Sequence, residues 1–401
     1  MGSRLLSECV LSVIDHRGLT PKKLGGKWAS NGGYRAISAK NIKNGCLVQQ
    51  ETMNLVDEEM YRRWMPEEVD RGDIFITSEA PFGEVLYWDS DEKPVLSQRV
   101  FGLKVDPLVC NARYLYYWMR TPQFQGELRG RSTGTTVMGL RQPELLKCEV
   151  EIPPLNTQRA ISSVLSTIDK KIAVNAKLNG YLAELVSLEF MSRFSENVPT
   201  VELGQVLSIS TKSLKPQDCF GEVWEHYSIP AYDEKHWPVF EPADGIKSNK
   251  YIVDKDCILF SKLNPTTKRI WMPACSSNRP VCSTEFIVYK PNEPKHKSFY
   301  YAAIDAPAFT DFLLAHVTGS TGSRQRTQPK ATLVYPMPAP GTEAIEDFCA
   351  FADPIYEQIK ANELESKQLE ELRDVLLPRL MSDKIDVSKV DLAKLNSHLV
   401  E

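Results

Sequence analysis

Ile152-Pro153-Pro154-Leu155-Asn156-Thr157-Gln158-Arg159 opens the stretch on which the fold turns, and the pattern it starts runs on to Phe190. Proline fixes its own φ and drives the preceding residue out of the α region, so no helix passes through Pro153 and Pro154. Asn156 or Thr157 is suited to cap a helix that starts near Gln158. No further proline occurs before Pro199. Apolar residues at Ile161, Val164, Leu165, Ile168 and Ile172 recur at the three-and-four spacing of one helix face. Onward, Ile168, Ile172, Asn175, Asn179, Leu182 and Val186 step like the inner positions of a coiled coil. Its two asparagines weaken the seam but fix register and partner. A lone helix with this pattern would read as an ordinary amphipathic surface helix.

This helix is not alone. Met337-Pro338-Ala339-Pro340 forms a second proline step, followed by Ile355, Ile359, Asn362, Ser366, Leu369, Arg373 and Leu376 in the same four-three rhythm. Ile359, Asn362, Leu369 and Leu372 match Ile172, Asn175, Leu182 and Leu185 at one common offset, with a polar residue at the same place. A proline-stopped, asparagine-interrupted helix made twice points to a tandem repeat.

The chain has 401 residues, enough for two or three domains, and its 42% hydrophobic and 25% charged residues are those of a globular protein. No apolar run reaches the roughly 18 residues of a membrane span. Met1 to Leu6 carries no secretory signal pattern, and a cytoplasmic location is expected. Nine cysteines lie scattered without zinc spacing or C-x-x-C, as expected of free thiols in a reducing compartment. A net charge of -4 argues against a wholly basic nucleic-acid binder but leaves room for basic patches.

Between the helical stretches lie two globular blocks. In the first, Tyr34 to Ser38 alternates like a strand, and Ile74 to Thr77 and Val85 to Trp88 read as hairpin partners. Val95 to Val105 gives another strand pattern, and Tyr114 to Phe124 a short aromatic helix ending near Pro122. The second block echoes the first in order. Gln205 to Ile209 follows Cys9 to Val13, Tyr227-Ser228-Ile229 follows Tyr34 to Ile37, and Asp256 to Ser261 follows Asp73 to Ser78. Pro280 to Ser283 then follows Pro94 to Ser97. Gly83-Glu84-Val85 is replaced by Thr267-Lys268-Arg269, so one scaffold carries two different surfaces.

Candidate contact residues fall in the echoed loops. Arg129, Arg131, Ser132, Thr133, Thr135 and Arg141 lie in or beside a Ser/Thr/Gly loop. Thr318, Ser320, Arg324 and Arg326 occupy its counterpart. Small hydroxyl residues let the backbone approach phosphate oxygens, and Arg adds charge and bidentate recognition. Lys40 and Asn41, with Lys262 and Asn264, stand near strand ends; Asn pairs bidentately with adenine and Lys with guanine. All these residue types are also ordinary at solvated loops and strand ends. Asp353-Pro354-Ile355-Tyr356 is similar to the Asp-Pro-Pro-Tyr motif of amino-methyltransferases, but no Gly-rich cofactor loop accompanies it. A P-loop is absent, and the six histidines are isolated.

The two helical stretches resemble the conserved regions of type I restriction-modification specificity subunits. The resemblance is carried by Ile152 to Arg159 with Ile168-Asp169-Lys170-Lys171-Ile172, by Leu369 to Met381, by Gly72-Asp73-Ile74 and by the Ser-Thr-Gly-Thr loop. It implies an α+β fold in which two similar target recognition domains alternate with two long antiparallel coiled-coil helices as a pseudo-two-fold tandem repeat. The boundaries expected are 1–150, 151–198, 199–336 and 337–401, with each recognition domain reading one half of a split site on double-stranded DNA. It further implies helices that act as spacer and as docking surface for two methyltransferase subunits, in a complex that also holds restriction subunits. The chain itself would be non-catalytic and hold no cofactor or metal, with S-adenosylmethionine, ATP and Mg on the partner subunits. The second proline step departs from the family pattern, having no Gln-Arg pair. A stand-alone DNA-modifying enzyme and a tandem-repeat scaffold that does not bind DNA remain the alternatives.

Overall fold

The computed structural model describes residues 2–134, 138–316 and 326–382. The chain packs as two units: residues up to 171 with the end of the second long helix from Leu369 on, and residues 172–368. Each unit contains one globular block and part of each long helix.

In the first block, strands Val10–Asp15, Val100–Val105, Ile74–Thr77 and Val85–Tyr87 form an antiparallel sheet in that spatial order. In the second block, Leu207–Ser210, Phe286–Pro291, Ile258–Ser261 and Ile270–Trp271 repeat the order and the antiparallel pairing. A second sheet follows in both, with Tyr34–Ile37 parallel to Val95–Leu96 and Val223–Tyr227 parallel to Pro280–Ser283. The duplication therefore holds at the level of strand topology. Strand alternation explains the layering. Ile74 and Ile76 pack into a core with the aromatic helix Ala112–Met119, while Phe75 enters a separate core with Trp64 and Trp88.

Some expectations need correction. Ile37 pairs with Leu96 and Tyr227 with Cys282, so Tyr227 stands where Ile37 does rather than where Tyr34 does. Val95 to Val105 is two strands in different sheets, because Arg99 takes a left-handed φ of 67° between them. Pro122 starts a helix as well as following one. Thr121 caps Pro122–Arg131, and Phe124 and Leu128 bury its inner face, so Arg129 to Arg131 are helical and the loop begins only at Ser132. The first long helix begins at Leu155, earlier than its expected cap, because Gln158 N already donates to Pro154 O at 3.0 Å. Gln158 is fully buried, accepting from Asn111 N at 2.7 Å and donating to Pro153 O at 2.8 Å. At the matching place in the second helix Ile345 N donates to Gly341 O at 3.2 Å, and its side chain packs on the core where Gln158 makes hydrogen bonds.

The long helices, Leu155–Phe194 and Thr342–Met381, are 40 residues each. In the first unit Ile161, Val164 and Leu165 share a core with Leu377, Leu380 and Met381. In the second, Val186, Phe190 and Phe194 share one with Phe348, Cys349 and Ala352. Of the expected seam, Ile168, Val186 and Leu369 are buried, and Ile172, Leu182, Ile355, Ile359 and Leu376 half-buried. Asn175 and Asn362 are buried, Asn179 is half-buried, and all three bond across the pair. Asn175 Nδ2 donates to Glu365 Oε2 at 2.7 Å, and Asn362 Nδ2 donates to Asn179 Oδ1 at 2.7 Å. Asn179 Nδ2 reaches Ile359 O at 3.2 Å, so contacts advance along one helix as they retreat along the other: the pairing is antiparallel.

In the first unit Arg373 Nη1 donates to Asp169 Oδ1 at 2.8 Å, and Tyr117 Oη donates to Asp169 Oδ2 at 2.7 Å. One carboxylate thus ties both helices to the aromatic helix of the first block. Replacing Asp169 by Ala leaves a mostly buried guanidinium without its partner. The expected loss is about 1–3 kcal/mol of stability, read as a lower urea midpoint, with Arg373→Met recovering part of it in the double variant.

Candidate nucleic-acid interface

Three segments meet in the same way in each block. In the first, Ser78, just past the strand Ile74–Thr77, donates its N–H to Arg99 O at 2.8 Å in the turn between two strands. Ser78 O in turn accepts from Leu140 N at 2.9 Å, where the Ser/Thr/Gly loop returns. In the second, Lys262 N donates to Glu285 O at 2.8 Å, and Lys262 O accepts from Thr327 N at 2.8 Å. Strand end, turn and loop root are thus joined by equivalent bonds with different side chains.

In the first block the loop root is closed by Thr133 N to Gly139 O at 2.9 Å and Gly139 N to Thr133 O at 2.8 Å. Ser132 Oγ donates to Arg129 O at 2.7 Å, ending the helix beneath it. Arg129 and Arg141 are exposed on either side, with no ion pair given to either guanidinium among the described residues. Arg131 is held differently. Glu127 binds its Nε at 2.9 Å, Glu144 lies 3.8 Å from its Nη1, and the Glu127 hydrogen bond raises its pKa further.

The structure does not bring all candidates to the surface. Asn41 is fully buried: its Oδ1 accepts from Ser38 N at 3.1 Å and Ser38 Oγ at 2.8 Å, while Nδ2 reaches Val48 O at 3.3 Å. No edge of its amide is left for a base, so Asn41 pins a loop. Lys40 beside it is exposed, 3.3 Å from Thr52 Oγ1. Lys262 is half-buried; its Nζ donates to Thr284 O at 2.6 Å and lies 5.3 Å from the Tyr251 ring centre, and burial pushes its pKa down. Asn264 adopts a left-handed φ of 47° and accepts at its backbone from Thr267 N at 2.7 Å. Arg326 is largely exposed and donates to Glu285 Oε1 at 3.2 Å. Thr135, Thr318, Ser320 and Arg324 lie outside the described residues. The Asp353 to Tyr356 motif is structural: Asp353 accepts from Ser298 Oγ, and Tyr356 is buried against Tyr301.

Residues that sequence reasoning missed surround a cavity of about 380 Å³ in the first block. Trp28, Gln98 and Arg99 line it with Lys40 and Asn54. Trp28 is 38% exposed at its mouth, and the loop that carries it brings exposed Lys22, Lys23 and Lys27. That lysine cluster between glycines was a legible signal; the turn at Arg99 was not. Together, basic residues, an exposed aromatic and open hydrogen-bonding edges are the components of a nucleic-acid footprint. No helix of the described residues is long and apolar enough to cross a membrane.

Comparisons with known proteins agree with this geometry. Residues 10–183 match the family model of the type I restriction modification DNA specificity domain. The chain is 22% identical over 361 residues to the type I restriction enzyme MjaIX specificity subunit of Methanocaldococcus jannaschii, covering 80% of this chain and 79% of that one. It is 20% identical to the HindI specificity subunit of Haemophilus influenzae, covering 79% and 87%. In fold it resembles the crystal structure of a type I restriction-modification S subunit from M. genitalium, with a TM-score of 0.57, 16% identity and 94% and 95% coverage. In its duplicated blocks, its paired long helices and these matches, the chain is similar to the specificity subunits of type I restriction-modification systems.

Proposed function

We propose that the chain is the DNA-recognition subunit of a type I restriction-modification complex, in which each block reads one half of a bipartite site. The observation that carries this reading is the junction of strand end, turn and loop, built twice with one set of backbone bonds and two sets of side chains. A scaffold held constant while its exposed edges change is what two independent readers of different half-sites need. The chain acts by binding, and methyl transfer and ATP-driven cleavage belong to methyltransferase and restriction subunits that hold S-adenosylmethionine, Mg and ATP.

The long helices supply the docking faces. Leu185 and Leu188 are 47% and 53% exposed in the second unit, and Leu372 and Val375 are 43% and 50% exposed in the first. Each pair stands at the same step of its own helix, 187 residues apart like Asn175 and Asn362. On the first helix the stripe continues through Val174, Leu178 and Tyr181, at 59%, 40% and 58% exposure. Heptad-spaced apolar residues left in solvent suit a helical partner, and two such faces support two methyltransferase subunits.

Three outcomes test this reading. Exchanging residues 1–150 for the block of a related subunit changes one half of the methylated sequence and leaves the other intact, as read by mapping methylated bases in cells expressing the complex. Arg129→Ala and Arg141→Ala each lower the dependence of log affinity on log salt by about one unit, whereas Arg131→Ala, already engaged by Glu127, lowers it less. Leu185→Asp with Leu188→Asp removes one methyltransferase subunit from the complex, and Leu372→Asp with Val375→Asp the other. Sedimentation of the purified complexes reads the stoichiometry, while circular dichroism of the chain stays unchanged.

A further inference from the structure

Arg99 and Glu285 occupy one position of the duplicated scaffold with opposite charge. Each sits in the turn that enters the second strand of the main sheet, Val100–Val105 in one block and Phe286–Pro291 in the other. Each gives its backbone carbonyl to the strand-end residue, Ser78 or Lys262. Each is joined through that residue to the returning loop. Building on the DNA-recognition reading above, we propose that Arg99 and Glu285 are matched specificity residues: Arg99 reads a guanine in one half-site and Glu285 a cytosine in the other.

The side chains are set for this. Arg99 is about half exposed, and Glu79 Oε2 holds its Nε at 2.9 Å. That contact orients the guanidinium while its two terminal nitrogens remain for guanine O6 and N7, the bidentate pairing Arg makes in the major groove. Its φ of 67° is a conformation that a residue with a Cβ rarely takes, and such strain gathers at ligand-binding positions. Arg99 also borders the cavity that Trp28, Lys40 and Gln98 line. Glu285 is a third exposed; Arg326 takes Oε1 at 3.2 Å, and Oε2 is enclosed and has no hydrogen-bond partner among the described residues. A carboxylate carried on this turn is the group that accepts from the cytosine N4 amino group in the major groove.

The test uses the full chain co-purified with its methyltransferase subunits, incubated with a randomised duplex library, and the bound sequences are read. Wild type is expected to select a two-part sequence. Arg99→Ala should relax one guanine in one part by about ten-fold or more, leaving the other part unchanged, and Glu285→Ala should do the same for one cytosine in the other part. Arg99→Lys and Glu285→Gln keep size or charge and serve where an alanine variant fails to fold; each should also relax its single position. A wild-type preference retained at every position, an even loss across all sequences, or two changes in the same part would overturn the assignment while leaving the recognition function standing. No two-part selection by wild type would overturn both.

Discussion

The buried amides of Asn175 and Asn362, with half-buried Asn179, hold the two long helices to one arrangement. An amide taken out of water costs free energy unless it is hydrogen-bonded, and here the Nδ2 group of each donates across to the opposite helix. Sliding one helix by a turn would leave these groups orphaned among apolar neighbours. The apolar seam alone would tolerate that slip, since leucines and isoleucines recur at every turn. The asparagines therefore convert a general attraction into a single antiparallel register. Asp169 adds to this in the first unit, where its carboxylate bonds Arg373 from one helix and Tyr117 from the globular block.

On that base the chain builds one recognition scaffold twice. The four-stranded sheets share spatial order and pairing, and strand end, turn and loop root are bonded through equivalent backbone atoms. Backbone bonds are indifferent to side chains, so the junction accepts Ser78 or Lys262, and Arg99 or Glu285, without loss of geometry. This separates what must stay the same from what must differ. The cores fix the turn, and its exposed side chain is Arg99 in one block and Glu285 in the other. Positive charge is placed apart from it, at exposed Arg129 and Arg141.

The sequence by itself determined the architecture. The proline steps stopped the helices, the three-and-four spacing set their faces, and the asparagines announced an interrupted seam; all are local or periodic signals that survive without coordinates. The repeat was legible for the same reason, since residues matched at a steady offset demand one fold twice. What only the tertiary structure decided were the facts that depend on who the neighbours are. Asn41 reads as a base-contacting amide until Ser38 and Val48 close around it. Arg131 reads as a free cation until Glu127, one turn away, binds it. Arg129 and Arg131 read as loop residues because glycines flank them, but Phe124 and Leu128 bury a helix face that overrides that local preference. Arg99 and Glu285 carry no motif at all: their equivalence lies in strand pairing and in two carbonyl hydrogen bonds. Sequence periodicity reports which face of an element is buried, whereas the partner of a polar group is a long-range fact, set only when distant segments are brought to hydrogen-bonding distance.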